Sequence, residues 1–248
     1  MKKYFNWRTN IALLLVGASI AAYGIHYFIF RDLHHIFLYM IGDIAFLFLD
    51  VLLVILFIER ILTQREKQAM LKKLNMVIGT FFSEVGLELL GRFSAFVENA
   101  SNLEKSLEIS PRWGKNDFQK AKEESRKFSY RIKIDKKSLQ KLSQFLLSKR
   151  SFLLRLLENP NLLEHERFTD LLWAVFHLAD ELSFRGENLE ELPESDLQHL
   201  AGDLKRAYSQ IISEWIAYTE HLKESYPFLF SLAARINPLS PHPSAIVT

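Results

Sequence analysis

Histidine and carboxylate side chains at helical spacing are the first residues in this sequence whose types could do chemistry. His177, Asp180 and Glu181 stand three and four residues apart, so a helix would place them on one face. Asp196 and His199 repeat the three-residue step. Such sets can ligate divalent metals. A carboxylate-bridged di-metal centre in a helical bundle takes Glu-x-x-His on two helices plus two further glutamates. Glu-x-x-His does not occur in the chain, so the spacing assigns no metal ligand and implies no cofactor. Cysteine is absent, which excludes disulfides, thiolate metal sites and cysteine nucleophiles. Gly-x-Ser-x-Gly, Gly-x-Gly-x-x-Gly and the phosphate-binding Gly-x-x-x-x-Gly-Lys-Ser/Thr are missing as well. The sequence nominates no catalytic residue, and a non-enzymatic role is expected.

A second pair of acids lies in a very different setting. Asp43 and Asp50 interrupt an apolar run and are seven residues apart, on one helix face about two turns, or ~10 Å, from each other. In the preceding apolar run Ala18, Ala22 and His26 recur every four residues. Small residues let helices approach closely, and carboxylates within a membrane seldom face lipid. Ala18, Ala22, His26, Asp43 and Asp50 are therefore the expected packing residues of a membrane helix pair or oligomer. A His26–Asp43 hydrogen bond is expected from their matching depth. The alternative use of the two acids is to line an ion or proton pathway, which would need several copies of the chain.

The elements that must carry these groups follow from the apolar pattern. Ile11 to Phe30 contains no Asp, Glu, Lys or Arg, and ~20 such residues cross a ~30 Å hydrocarbon core. Ile36 to Ile58 is a second run. The expected organisation is an N-terminus 1–10, a first transmembrane helix 11–30, an external loop 31–35 and a second transmembrane helix 36–58. Lys2, Lys3 and Arg8 precede the first run, while Arg60, Arg65, Lys67, Lys72 and Lys73 follow the second. That asymmetry places both termini in the cytoplasm and the protein in the cell (inner) membrane as a two-pass chain. The first run is too long for a signal-peptide core, and Ser19-Ile20-Ala21 is a poor cleavage site.

Residues 59–236 are expected to form a cytoplasmic helical domain. Leu74, Ile78, Phe81, Val85, Leu89 and Phe93 continue the second run at helical spacing, which predicts one long, at most once-bent helix to about Glu98. Asn116 or Asp117 can cap a helix to about Tyr130, and Asp135 the next, which ends before Pro160. A helix from Asn161 should stop at Gly186. An acidic loop, a helix Ser195–Ser225 and a short last helix to Ile236 follow. The proline-rich residues 237–248 read as a flexible tail. No segment alternates at the period of a strand. The fold class is all-α: a two-helix transmembrane hairpin followed by a cytoplasmic helical bundle.

Charge is polarised along this domain. Residues 99–155 carry 15 Lys/Arg against 6 Asp/Glu, and residues 156–248 carry 6 against 15. Beside an anionic leaflet the basic residues Lys72, Lys73, Arg131, Lys133, Lys136, Lys137 and Lys141 point to lipid-surface binding rather than to nucleic acid. Pairing with the acidic half is the plainer use of the same charges. Trp113, Trp173 and Trp215 are expected core or interface anchors. The function expected from the sequence is a membrane-anchored helical interaction or scaffold module. Its partners would be membrane lipids and either further copies of itself or another protein.

Overall fold

Asp32 sets the first turn of the chain. Its Oδ1 accepts hydrogen bonds from the backbone N–H groups of His34 (2.8 Å) and His35 (3.3 Å), the geometry of a helix N-cap. The preceding residue, Arg31, has φ +48° and donates its N–H to the Tyr27 carbonyl at 2.8 Å, closing the last turn before it. Only residues 31 and 32 therefore separate α1, Trp7–Phe30, from α2, Leu33–Phe81. The turn is shorter than the expected 31–35 because the Asp32 cap draws Leu33, His34 and His35 into α2.

This computed structural model describes residues 7–100, 103, 107–160, 162, 165–186 and 188–247. It is all-helical among those residues and divides into two units, residues 1–67 and 68–248, with α2 contributing to both. In the first unit both helices are long and apolar enough to cross a membrane, and their apolar windows bury none of their residues.

The second unit is built around a layer of aromatic side chains. α2 buries Leu74, Ile78 and Phe81 at its end. It is followed by a single π-helical turn, Phe82–Gly86, and then by α3, Leu87–Ser94. The expected long helix thus carries a wide turn at 82–86 and ends at Ser94 rather than near Glu98. Phe81 and Phe82 are edge-to-face at 5.3 Å. Phe81 meets Phe168, Phe82 meets Trp215, and Phe82 stacks on Tyr218. A Cβ on Gly86 would lie 2.5 Å from Phe82 Cδ1 and 2.9 Å from Phe81 Cε1, so only glycine fits beneath the two rings.

Four further helices complete the bundle: α4, Lys115–Lys127; α5, Lys136–Leu157; α6, Glu166–Arg185; and α7, Glu194–Ser225, with the short α8, Pro227–Arg235, after it. α7 is the central element and packs on α3, α4, α6 and α8. The Asp117 carboxylate accepts from the Gly114 N–H at 2.7 Å, and Asp135 Oδ2 accepts from the Ser138 N–H at 2.8 Å. Gly186, φ +70°, stops α6 in the left-handed region that favours glycine.

Three boundaries differ from expectation. α4 ends at Lys127 rather than near Tyr130, because the chain turns extended to form an isolated bridge between Val97 and Ile132. α6 begins at Glu166 rather than Asn161, with His165 Nδ1 accepting from the Phe168 N–H at 3.1 Å; Asn161, like Lys2 and Lys3, lies outside the described residues. The segment read as a flexible tail starts buried. Asn237 and Leu239 are 0% and 1% exposed. Trp173, expected as a core or interface anchor, lies outside the core. It is 57% exposed on α6, whereas Trp215 is buried at 1%.

Candidate functional site

In the first unit, the ring contacts that link α1 to α2 sit at the turn. His26 lies 5.6 Å from the His35 ring, and Phe30 stacks on His35 at 5.7 Å. His35 in turn meets Tyr39 at 4.6 Å. His26 Nε2 is buried and has no hydrogen-bond partner among the described residues, so the expected bond to Asp43 is not made; the ring packs on Phe30 and His35 instead. Farther from the turn, Ala18, Ala22, Asp43 and Asp50 are all exposed. A Cβ on Gly17, Gly24 or Gly42 would meet nothing within 4 Å. The small-residue faces and both acids are thus left uncovered among the described residues.

The basic residues separate into two sets within the second unit. Lys72 and Lys73 lie early in α2's share of it. Arg131 and Lys133 flank the Val97–Ile132 bridge, and Lys136, Lys137 and Lys141 occupy the first turns of α5. α5 runs antiparallel to the chain from the π turn through α3. Lys149 Nζ is 3.3 Å from Glu84 Oε2, and Arg92 donates to the Lys141 carbonyl at 3.3 Å. Lys72 and Lys73 are about 19 residues before Arg92, or ~28 Å along a helix, so the seven residues do not form one patch. Much of the neighbouring charge is used internally. Lys122 pairs with Glu220, Lys115 with Glu224 at 3.4 Å, and Arg150 with Asp180 at 3.0 Å. The basic segment and the acidic C-terminal half thereby meet across helices.

The acids and histidines of α6 and α7 regroup relative to their spacing. Asp180, expected beside His177, turns to Arg150. Asp196, expected beside His199, is held at both oxygens by Arg185, at 2.6 and 2.7 Å. The Arg185 hydrogen bonds keep the carboxyls of Asp196 and Glu181 below their usual range. Asp203, four residues beyond His199, is the residue that sequence spacing passed over; its i+4 relation to His199 was the available signal.

A groove in the second unit is lined by Gly79, Thr80, Tyr218, His221 and Leu229. Burial pushes the Tyr218 hydroxyl up and the His221 imidazole down from their ordinary values.

Comparison with known proteins follows the same division of the chain. Residues 2–62 match the family described as MJ1433, N-terminal helical domain, and residues 70–235 match Uncharacterized protein MJ1433, C-terminal helical domain. The break between the two matches brackets the boundary between the structural units at residues 67 and 68. Uncharacterized protein MJ1433 of Methanocaldococcus jannaschii is 47% identical over 229 residues, covering 92% of this chain and 91% of the relative. No solved structure matches. The chain belongs to the family of Uncharacterized protein MJ1433.

Proposed function

We propose that this chain is a two-pass membrane protein whose helical body faces the cytoplasm and serves as an interaction or scaffold module. The observation that carries the reading is the uncovered apolar surface of α1 and α2: large side chains such as Leu14, Ile20, Phe28, Phe48 and Phe57 are all more than half exposed. Soluble proteins rarely expose contiguous apolar patches beyond a few hundred Å², whereas lipid covers such a surface at no cost. The basic residues after the second apolar run support a cytoplasmic body, and Lys72 and Lys73 are placed in sequence to meet anionic headgroups. Lys133, Lys136, Lys137 and Lys141 belong to a separate surface, for lipid or for a protein partner.

The absence of native cysteine makes the test direct. Leu33→Cys and Lys205→Cys place single thiols at the turn and on α7. In intact cells a membrane-impermeant maleimide should label the first and not the second, and the protein should stay in membranes through alkaline carbonate. Release by carbonate, or labelling of Lys205→Cys without lysis, overturns the reading.

One observation favours a finer statement. Asp43 and Asp50 have no hydrogen bond or ion pair among the described residues and stand exposed among apolar side chains. Carboxylates facing lipid are costly, so a second copy or a partner helix covers them. An oligomer of this kind could also conduct ions past the two acids. Light scattering in detergent decides: a monomer or dimer supplies too few helices to surround water and removes the pathway, while a larger ring makes Asp43→Asn and Asp50→Asn flux measurements the next step.

A further inference from the structure

Two pentapeptides of one pattern lie on neighbouring helices: His177-Leu178-Ala179-Asp180-Glu181 on α6 and His199-Leu200-Ala201-Gly202-Asp203 on α7. In each, a histidine is followed four residues later by a carboxylate, one helical turn along the same face. Leu178, Ala179 and Leu200 are buried, and α6 and α7 pack on each other. We propose that His177, Glu181, His199 and Asp203 together bind a first-row divalent cation, with zinc the appropriate probe.

The four side chains form an alternating ring. His177 Nε2 is 3.8 Å from Glu181 Oε1 and 3.6 Å from Asp203 Oδ2; His199 Nε2 is 3.7 Å from Glu181 Oε2 and 3.3 Å from Asp203 Oδ2. Ligands about 2.1 Å from a tetrahedral ion lie roughly 3.4 Å from each other, and the two imidazoles stand at that spacing from the one oxygen they share, Asp203 Oδ2, with a Glu181 oxygen within 3.8 Å of each. The second, independent observation is Asp203 itself. Its side chain is 5% exposed, yet among the described residues Oδ2 accepts no hydrogen bond, although the His199 and His177 nitrogens stand 3.3 and 3.6 Å from it. A buried carboxylate oxygen without a donor is costly. A cation shared with the two imidazole lone pairs removes that cost.

The surrounding arginines do what outer partners of metal ligands do, which is to hold each carboxylate by one oxygen. Arg206 Nη1 donates to Asp203 Oδ1 at 3.1 Å and leaves Oδ2 toward the histidines. Arg185 Nη1 donates to Glu181 Oε2 and leaves Oε1 toward His177. As the described side chains stand, they do not yet enclose a metal centre. The two imidazoles are about half exposed, and binding the ion requires them to turn toward Asp203. Two nitrogens and two carboxylate oxygens suit zinc, manganese or iron better than calcium or magnesium, which prefer oxygen alone. Bound there, the ion clamps α6 to α7; the site does not depend on the membrane reading.

The test uses the purified full chain, its affinity tag removed and its metals stripped by chelator. Zinc chloride titrated by calorimetry should bind at one ion per chain and raise the melting temperature. Cobalt(II) should give visible absorption bands of a four- or five-coordinate nitrogen–oxygen site. His177→Gln and His199→Gln should each weaken zinc binding about tenfold or more, with helical circular dichroism unchanged, and His242→Gln in the C-terminal segment should not. The wild-type titration needs no variant to fold. Absence of saturable binding overturns the proposal, as does binding that survives both histidine substitutions.

Discussion

Trp215 and Asn237, 22 residues apart, are joined by a buried hydrogen bond: the indole Nε1–H donates to Asn237 Oδ1 at 3.0 Å. The same asparagine donates Nδ2 to the Leu107 carbonyl at 2.9 Å, and its Oδ1 also accepts from the Leu239 N–H at 3.3 Å. One side chain thus ties the central helix, the connector after α3 and the chain beyond α8. Asn237→Ala strands a buried indole N–H and a buried carbonyl, and leaving such groups unpaired costs about 1–3 kcal/mol each. Urea unfolding should show a loss of that order, with the Trp215 fluorescence shifted. Wild-type stability would mean that water reaches and satisfies both groups.

Gly86 and Gly202 make a matched pair of opposite sign. Gly86→Ala drives a methyl into Phe81 and Phe82, whose rings are locked by Phe168, Trp215 and Tyr218. Overpacking of this kind costs about 1–3 kcal/mol. Gly202 lies inside α7, and a methyl placed on it would meet nothing within 4 Å. There alanine should add up to about 1 kcal/mol through helix propensity. Thermal unfolding of the two variants checks both directions, and equal shifts would show that the π turn relaxes to admit the methyl.

What could be read from the sequence was what local pattern decides. Helical periodicity identified the all-α class, Asp135 and Gly186 marked real helix ends, and the two apolar runs became α1 and the first part of α2. What could not be read depends on partners distant in sequence. Trp173 and Trp215 sit in similar apolar stripes, yet only Trp215 has the aromatic layer of Phe82 and Tyr218 against it. Asn237 stands among prolines, the composition of a loose tail, and nothing local announces the indole it bonds. At the α6–α7 face the helical spacing was visible. Which acid each histidine meets was decided by Arg150 and Arg185, which draw Asp180 and Asp196 away.

Glu214 supplies a pH dependence. Its side chain is 3% exposed, with Arg167 Nε 3.4 Å from Oε1. Burial raises its pKa above the ordinary 4.5, and the positive charge of Arg167, followed by His165 and Lys122, only partly offsets this. The folded chain therefore holds this proton more tightly than the unfolded chain does. The stability that comes from this difference is fully present below about pH 4.5 and is lost as pH rises through the folded value. Glu214→Gln does not titrate, so its stability relative to wild type should rise as the pH increases above about 4.5. Urea unfolding of both proteins across that range measures the change. A difference that stays constant with pH would mean that Arg167 holds Glu214 ionised throughout, and that the ion pair outweighs the burial.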